Sequence, residues 1–209
     1  MPEITAIKVN LKRPDRRSVY IDGQFTFSVS EGIFSQRDLR EGSELSEKEI
    51  AELRDEDDFE KAKLAAVNLL SYRPRSVKEI TDRLRQKGWS DSVAEKVAEL
   101  LVDKGYLNDN EFARIFSRDK VKNKCLGPMA LKNELFKTGV PSKVIEKTIR
   151  DIYEQFTPEE LIHRLLIKRG IRNDKAVSAQ EKQRIINQLC RKGFTWEQME
   201  PFIRGLKLD

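Results

Sequence analysis

The apolar positions of this chain change period once. Up to Val29 they alternate with polar ones, and from Phe59 onward they recur every three or four residues. In the first stretch, Ile4, Ala6, Ile7, Val9 and Leu11 suggest a strand with both faces partly apolar. Val19 and Ile21 flank Tyr20, and Phe25, Phe27 and Val29 alternate with Gln24, Thr26 and Ser28. Asp22-Gly23 is a two-residue hairpin signal, because glycine accepts the positive φ that a type I′ turn demands. Lys12 through Arg17, interrupted by Pro14, reads as a charged loop. The prediction is three short antiparallel strands with that loop as a basic tip. A lone small sheet is marginal in water, so its aromatic face is expected to pack on short helices within residues 31–57. Ser46-Glu47-Lys48-Glu49 is a capping box that opens one of these, with Ile50 and Leu53 as its apolar positions. Asp55-Glu56-Asp57-Asp58 reads as a junction or as the acidic first turn of the next helix, where the dipole favours anions.

The helical part repeats. A helix over 59–72 ends at Arg73-Pro74-Arg75, and Ser76-Val77-Lys78-Glu79 caps a second one that closes at Gly88. Trp89 and Ser90 lead into a third, closed by Gly105. The same phrase recurs from Asn108 through Gly127-Pro128, Gly139 and Val140-Pro141-Ser142. It recurs again from Thr157-Pro158-Glu159-Glu160 through Gly170, Ser178–Glu181, Gly193 and Thr195. Ile80, Leu84, Gly88 and Trp89 align with Leu131, Leu135, Gly139 and Val140, and with Ile185, Leu189, Gly193 and Phe194; the glycines are 51 and 54 residues apart. Repetition at that period means stacked units with shared buried faces. The expected fold is therefore mostly α: three tandem three-helix units in an elongated body, with a small N-terminal antiparallel sheet. The expected divisions are 1–57, 58–107, 108–156 and 157–209. Trp89, Val140 and Phe194 are expected to plug the core after each capping glycine, with base stacking by Trp89 or Trp196 as the lesser alternative.

Composition narrows the chemistry. Of 209 residues, 36% are charged and 38% hydrophobic, against ordinary shares of ~25% and ~45–50%; the strong periodicity argues for slender helical layers rather than disorder. No apolar run approaches the ~18 residues of a membrane helix, and no apolar segment follows Met1-Pro2-Glu3 as a signal peptide requires. Cys125 and Cys190 are isolated, which fits a reduced, cytoplasmic setting. With His163 as the single histidine, no Cys/His zinc site can be assembled. His163 itself reads as a structural residue beside Leu161 and Leu165. Neither GxGxxG nor GxxxxGK[ST] occurs. Neither catalysis nor a cofactor is expected. A nuclease would need a carboxylate cluster at a metal, and the run 55–58 is the one candidate.

The net charge of +5 is unevenly spread. Residues 31–60 hold 12 acidic against 4 basic side chains, whereas 61–209 hold 31 basic against 20 acidic. A basic module of this kind suits nucleic acid or an acidic protein surface. Two strips stand out: Arg73, Arg75, Lys78, Arg83, Arg85 and Lys87, and then Arg114, Arg118, Lys120, Lys122 and Lys124. Arginine forks onto phosphate or carboxylate alike. The hairpin tip, with Lys12, Arg13, Arg16 and Arg17, is a third candidate. The plain alternative is a solvated helical surface of mixed charge.

Three phrases carry a family resemblance. They are Arg73-Pro74-Arg75-Ser76-Val77-Lys78-Glu79-Ile80 running to Lys87-Gly88-Trp89; Gly105-Tyr106-Leu107-Asn108-Asp109 with Phe112-Ala113; and Gly127-Pro128 with Leu131, Glu134-Leu135 and Gly139-Val140. In this order and spacing the chain resembles the RecX family, regulators of the RecA recombinase. The likeness covers roughly residues 59–205, and the N-terminal sheet is similar to an extension of longer members. Thr138 departs from the pattern, standing where a basic residue is expected. The resemblance implies tandem three-helix repeats, no catalysis, and binding to RecA filaments on single-stranded DNA, with inhibition of ATP hydrolysis and strand exchange; a monomer is the expectation for an elongated repeat chain. The residues alone leave a second reading open, a direct DNA-binding protein built of units like helix-turn-helix modules.

Overall fold

The computed structural model of the chain describes residues 2–171 and 177–206. Three strands come first: β1 (Ile4–Val9), β2 (Arg16–Ile21) and β3 (Gln24–Ser30), antiparallel in the order β1-β2-β3. Asp22 and Gly23 join β2 to β3 with φ of 49° and 79°, the pair of positive values a type I′ turn needs. Ten helices follow among the described residues. They are α1 (Glu31–Gln36), α2 (Glu47–Tyr72), α3 (Val77–Gln86), α4 (Asp91–Asp103), α5 (Asp109–Lys124), α6 (Pro128–Lys137), α7 (Ser142–Gln155), α8 (Pro158–Lys168), α9 (Ala179–Lys192) and α10 (Trp196–Arg204). The chain divides into two compact units, Met1–Tyr72 with Ile80–Leu101, and Arg73–Glu79 with Val102–Asp209.

In the first unit the sheet buries Ile4, Val19, Ile21, Phe27 and Val29 against Ile33 of α1, Leu39, Leu45 and Leu53 of α2. This is the cover that an isolated sheet lacks. Ser46 and Glu49 start α2 by exchanging bonds: the Glu49 amide donates to Ser46 Oγ, and the Ser46 amide donates to the Glu49 carboxylate. The Ser46 hydroxyl, which also donates to that carboxylate, and then the Ser46 amide hold the Glu49 carboxyl below its ordinary range.

The acidic run does not break the chain. Asp55–Asp58 lies inside α2, which continues for 26 residues. The reason is Asp57, which is buried and 2.6 Å from the guanidinium of Arg16, with Lys61 one turn further along the helix on the same carboxylate oxygen. Helix-start chemistry at this run is therefore overturned, and so is the position of Arg16, which belongs to β2 and not to the exposed loop. The strand from Ile4 also stops at Val9; Leu11 is fully exposed in the turn.

The sheet departs from strict alternation as well. Val19 pairs with Phe27, but the next residue, Tyr20, pairs with Phe25, so Thr26 is a bulge on β3. One extra residue moves every later side chain to the opposite face. Phe27 and Val29 are buried as the alternation predicts, while Phe25 turns outward beside Tyr20 and is 59% exposed.

The second unit is built on the repeat. Thr157 and Ser178 accept from the amides of Glu160 and Glu181 as predicted, and Pro128 and Pro158 occupy first-turn positions. Its core runs from Phe112 and Ala113 through Leu131, Leu135 and Ile145 to Leu161, Ile185, Leu189 and Met199. Val140 and Phe194 are buried plugs, whereas Trp89 in the first unit is only half-buried.

Within the second unit, residues that open one middle helix of the repeat meet residues that close another. At the C-terminal end of α9, the carbonyls of Lys192 and Gly193 accept from the amides of Gly127 (2.7 Å) and Met129 (3.2 Å), which open α6. At the C-terminal end of α6, the carbonyl of Thr138 accepts from Ser76 Oγ at 2.6 Å, and Gly139 lies under the side-chain stem of Lys78. Ser76 and Gly127 are equivalent repeat positions, as are Thr138 and Lys192. The first joint thus places carbonyls left over at one helix end on amides left over at another, and at the second the Ser76 hydroxyl, which also caps Glu79, is the donor.

Candidate functional site

Two arginines of the first basic strip, Arg73 and Arg85, are neutralised from within. Arg73 binds Glu79 with both terminal nitrogens, at 3.0 and 3.2 Å. Arg85 faces three carboxylates, Asp82, Asp91 and Glu95, with Asp91 at 2.6 Å. The Asp91 hydrogen bond, followed by the other carboxylate charges, raises the Arg85 pKa further. Lys78 covers Gly139 at the joint, and Arg75 is half-buried. Arg83 is exposed and donates to Gln86; Lys87 is exposed after the end of α3.

The second strip keeps an open face. Arg114, Arg118 and Lys122 are spaced by four along α5, so they share one side of it. Arg114 is held by Glu111 at 2.6 Å, and the Glu111 carboxyl is lowered chiefly by that hydrogen bond. Arg118 is exposed and has no hydrogen-bond or ion-pair partner among the described residues. The side chain of Lys122 is also exposed, and its backbone carbonyl accepts from Arg164. Lys124 is exposed too, its carbonyl taken by Lys192 Nζ. Lys120 turns inward: its ammonium is 2.9 Å from Glu134 and 4.7 Å from the centre of the Phe116 ring. That bond, first among several causes, holds the Glu134 carboxyl below the ordinary range. Lys120 is accordingly a buttress and not a free contact.

Between α5 and α7 lies a groove of about 290 Å³ lined by Arg114, Arg118, Lys147, Thr148, Asp151 and Gln155. Lys147 of α7 has no ion-pair partner among the described residues. The strip reading missed it, because α7 is neutral overall. Its signal is Lys143 and Lys147 one turn apart, on a helix whose Ile145 and Ile152 face the core. The groove therefore sets free cations from two helices beside amide and hydroxyl groups that suit phosphate or carboxylate, with the carboxylates of Glu111 and Asp151 also in its lining.

The hairpin tip is the third candidate. Asn10 Oδ1 accepts from the amides of Lys12 and Arg13 and so builds the turn. Arg13 pairs with Asp15 at 3.2 Å, and Arg17 with Glu31 at 2.8 Å. Arg16 is buried on Asp57 and leaves the set of surface contacts; Lys12 stays exposed. Among the described residues, no group of three or more His, Cys, Asp or Glu could hold a metal. The run 55–58 supplies no such cluster, since Asp57 is engaged by Arg16 and Lys61. No helix of the described residues is long and apolar enough to cross a membrane. His163 is exposed, as are Cys190 and Trp196, while Cys125 is buried.

Comparison with known proteins fits this architecture. Residues 2–46 match the model of the regulatory protein RecX N-terminal domain, 62–101 that of the RecX first three-helix domain, and 108–149 that of the RecX second three-helix domain. Regulatory protein RecX of Bacillus velezensis is 38% identical over 200 residues, covering 94% of this chain and 74% of that protein. Its counterpart from Bacillus subtilis is 34% identical over 199 residues, with the same coverage. A crystal structure of regulatory protein RecX superposes with a TM-score of 0.68 at 27% identity, covering 96% of this chain and 98% of that one. RecX from Lactobacillus salivarius gives 0.59 at 25%, covering 72% and 97%. Sheet, three-helix units and sequence agree, and the chain belongs to the family of RecX regulatory proteins.

Proposed function

We propose that this protein is a non-catalytic, monomeric and cytoplasmic regulator of RecA. It docks on the RecA filament assembled on single-stranded DNA and inhibits ATP hydrolysis and strand exchange. The observation that carries the reading is the set of cations at the α5–α7 groove. Arg73 and Arg85 are consumed by internal carboxylates, while Arg118, Lys122 and Lys147 present unpaired charge from two packed helices. We further propose that residues 1–57, 58–107, 108–156 and 157–209 act as four modules, with 108–156 making the main anionic contact.

The test is RecA ATP hydrolysis on single-stranded DNA, with the protein added well below RecA stoichiometry. Wild type should inhibit. Arg118→Glu combined with Lys147→Glu should lose at least about tenfold in potency, because each desolvated charge contact contributes about 1.5–3 kcal/mol. Arg85→Ala should retain most of the inhibition. Inhibition that survives the double reversal removes the groove from the reading; no inhibition by wild type removes RecA.

Direct DNA binding is the second reading, favoured by the three-helix units and the same exposed cations. Under it, affinity for naked duplex falls steeply with salt, as counterion release requires, and RecA and nucleotide change nothing.

A further inference from the structure

The outer face of the N-terminal sheet has a feature that neither folding nor the α5–α7 groove accounts for. Two bulges flank one residue: Thr5 is the extra residue on β1 and Thr26 the extra residue on β3, both at the level of Tyr20. The second of them takes Phe25 out of the buried series and sets it on the outer face, where it is 59% exposed. Its ring meets Tyr20 edge-on, with centroids 5.9 Å apart and an interplanar angle of 74°. Lys8, on the neighbouring strand, holds its ammonium 5.1 Å from the centre of the Tyr20 ring. Burying Phe25 with Phe27 would have stabilised the sheet; exposing it costs that burial. Bulges re-aim side chains at working surfaces.

The surroundings are cationic. Arg54 of α2 donates to the carbonyl of Thr26 at 2.9 Å, so its guanidinium lies beside the bulge. Lys8, Lys12 and Arg54 form no ion pair among the described residues. The face therefore combines an exposed ring, locked in place by a second ring, with unneutralised charge from Lys8 on β1 and Arg54 on α2. One exposed aromatic, backed by a half-buried ring on the adjacent strand and edged by Lys and Arg, matches one chemistry closely. The rings take the faces of unpaired bases, and the cations take the phosphates. A duplex, whose bases are stacked on one another, offers no such face.

We infer that the outer face of this sheet, with Phe25 as platform, Tyr20 as its support and Lys8 and Arg54 as phosphate contacts, binds single-stranded nucleic acid by base stacking. This goes beyond the regulatory reading and needs no RecA, so either can fail alone.

The experiment uses the full chain with a 15-nucleotide oligothymidylate, its duplex with oligodeoxyadenylate, and an abasic oligonucleotide of equal length. Affinity is read by anisotropy at fixed salt. Phe25→Ala should weaken oligothymidylate binding about tenfold, within the range that one stacked base contributes, and leave duplex and abasic binding unchanged. Phe25→Trp should restore the affinity, and its new emission should be quenched as a base stacks on it. Lys8→Ala should reduce the salt dependence by about one phosphate contact. Phe25 is exposed, so these variants fold, and circular dichroism checks that they do. Unchanged affinity of Phe25→Ala for oligothymidylate overturns the inference, and so does an equal loss on all three probes. Loss of RecA inhibition by Phe25→Ala with oligothymidylate affinity intact also overturns it, because the face then docks a protein.

Discussion

Alanine at Gly193 destabilises the second unit by about 3–5 kcal/mol, whereas alanine at Gly170 or Gly105 costs about 1–2 kcal/mol. All three glycines are left-handed, with φ of 87°, 71° and 75°. A side chain pays a similar conformational cost at each. The difference lies in the surroundings. A Cβ at Gly170 or Gly105 meets nothing within 4 Å, but at Gly193 it runs into the backbone nitrogen of Ala130 and stands 2.5 Å from its Cβ. Backbone cannot step aside as a flexible side chain can. The end of α9 must therefore leave the start of α6, and the Gly127 and Met129 amides lose their carbonyl partners. A buried donor left without an acceptor costs about 1–3 kcal/mol. The chain has two tryptophans, Trp89 in the first unit and Trp196 in the second. In a Trp89→Phe background, urea unfolding followed by Trp196 emission reports the second unit. Equal midpoint shifts for Gly193→Ala and Gly170→Ala would remove the joint as a source of stability.

That contrast shows what a single sequence makes legible. The capping glycines, the serine and threonine caps and the period of the apolar residues are local signals, and the structure has them where the pattern puts them. Whether a capping glycine is crowded or open is decided by a partner more than 60 residues away, and Gly193 and Gly170 look alike from within the chain. The basic strips fail for the same reason. Arg73 and Arg85 read as available charge because Glu79, Asp91 and Glu95 are neighbours only once the turns have formed. Arg118 read the same way and stays open. Lys147 was hidden by the acidic residues of its own helix, and its place opposite Arg118 comes from the packing of α5 on α7. Phe25 obeyed the alternation in sequence and broke it in space, because Thr26 carries no residue-level mark of a bulge.

Asp57→Ala should be the most damaging single change in the first unit, at about 3–5 kcal/mol. The carboxylate is buried in the middle of α2, in a run of four acids where Asp55 and Asp58 are exposed and Glu56 is half-buried. It holds Arg16 at 2.6 Å, and Arg16 in turn donates to the carbonyl of Ser28 at 2.6 Å and to its hydroxyl at 3.1 Å. One guanidinium thus ties β2, β3 and α2 together. Removing Asp57 leaves a buried cation whose remaining partners are neutral, and the desolvation cost of that charge is no longer offset. The pair itself is a different quantity from the loss of one partner. Arg16→Met combined with Asp57→Leu removes both charges and fills the space with apolar atoms, so the double variant should recover most of the loss. Lys61 loses its contact in either case, which makes it common to the comparison. With Trp196 replaced by phenylalanine, Trp89 emission follows the first unit through urea. A double variant as unstable as Asp57→Ala would show that the pair is worth more than an apolar replacement. An Asp57→Ala shift below about 1 kcal/mol, the size of an exposed pair, would show that water reaches Arg16.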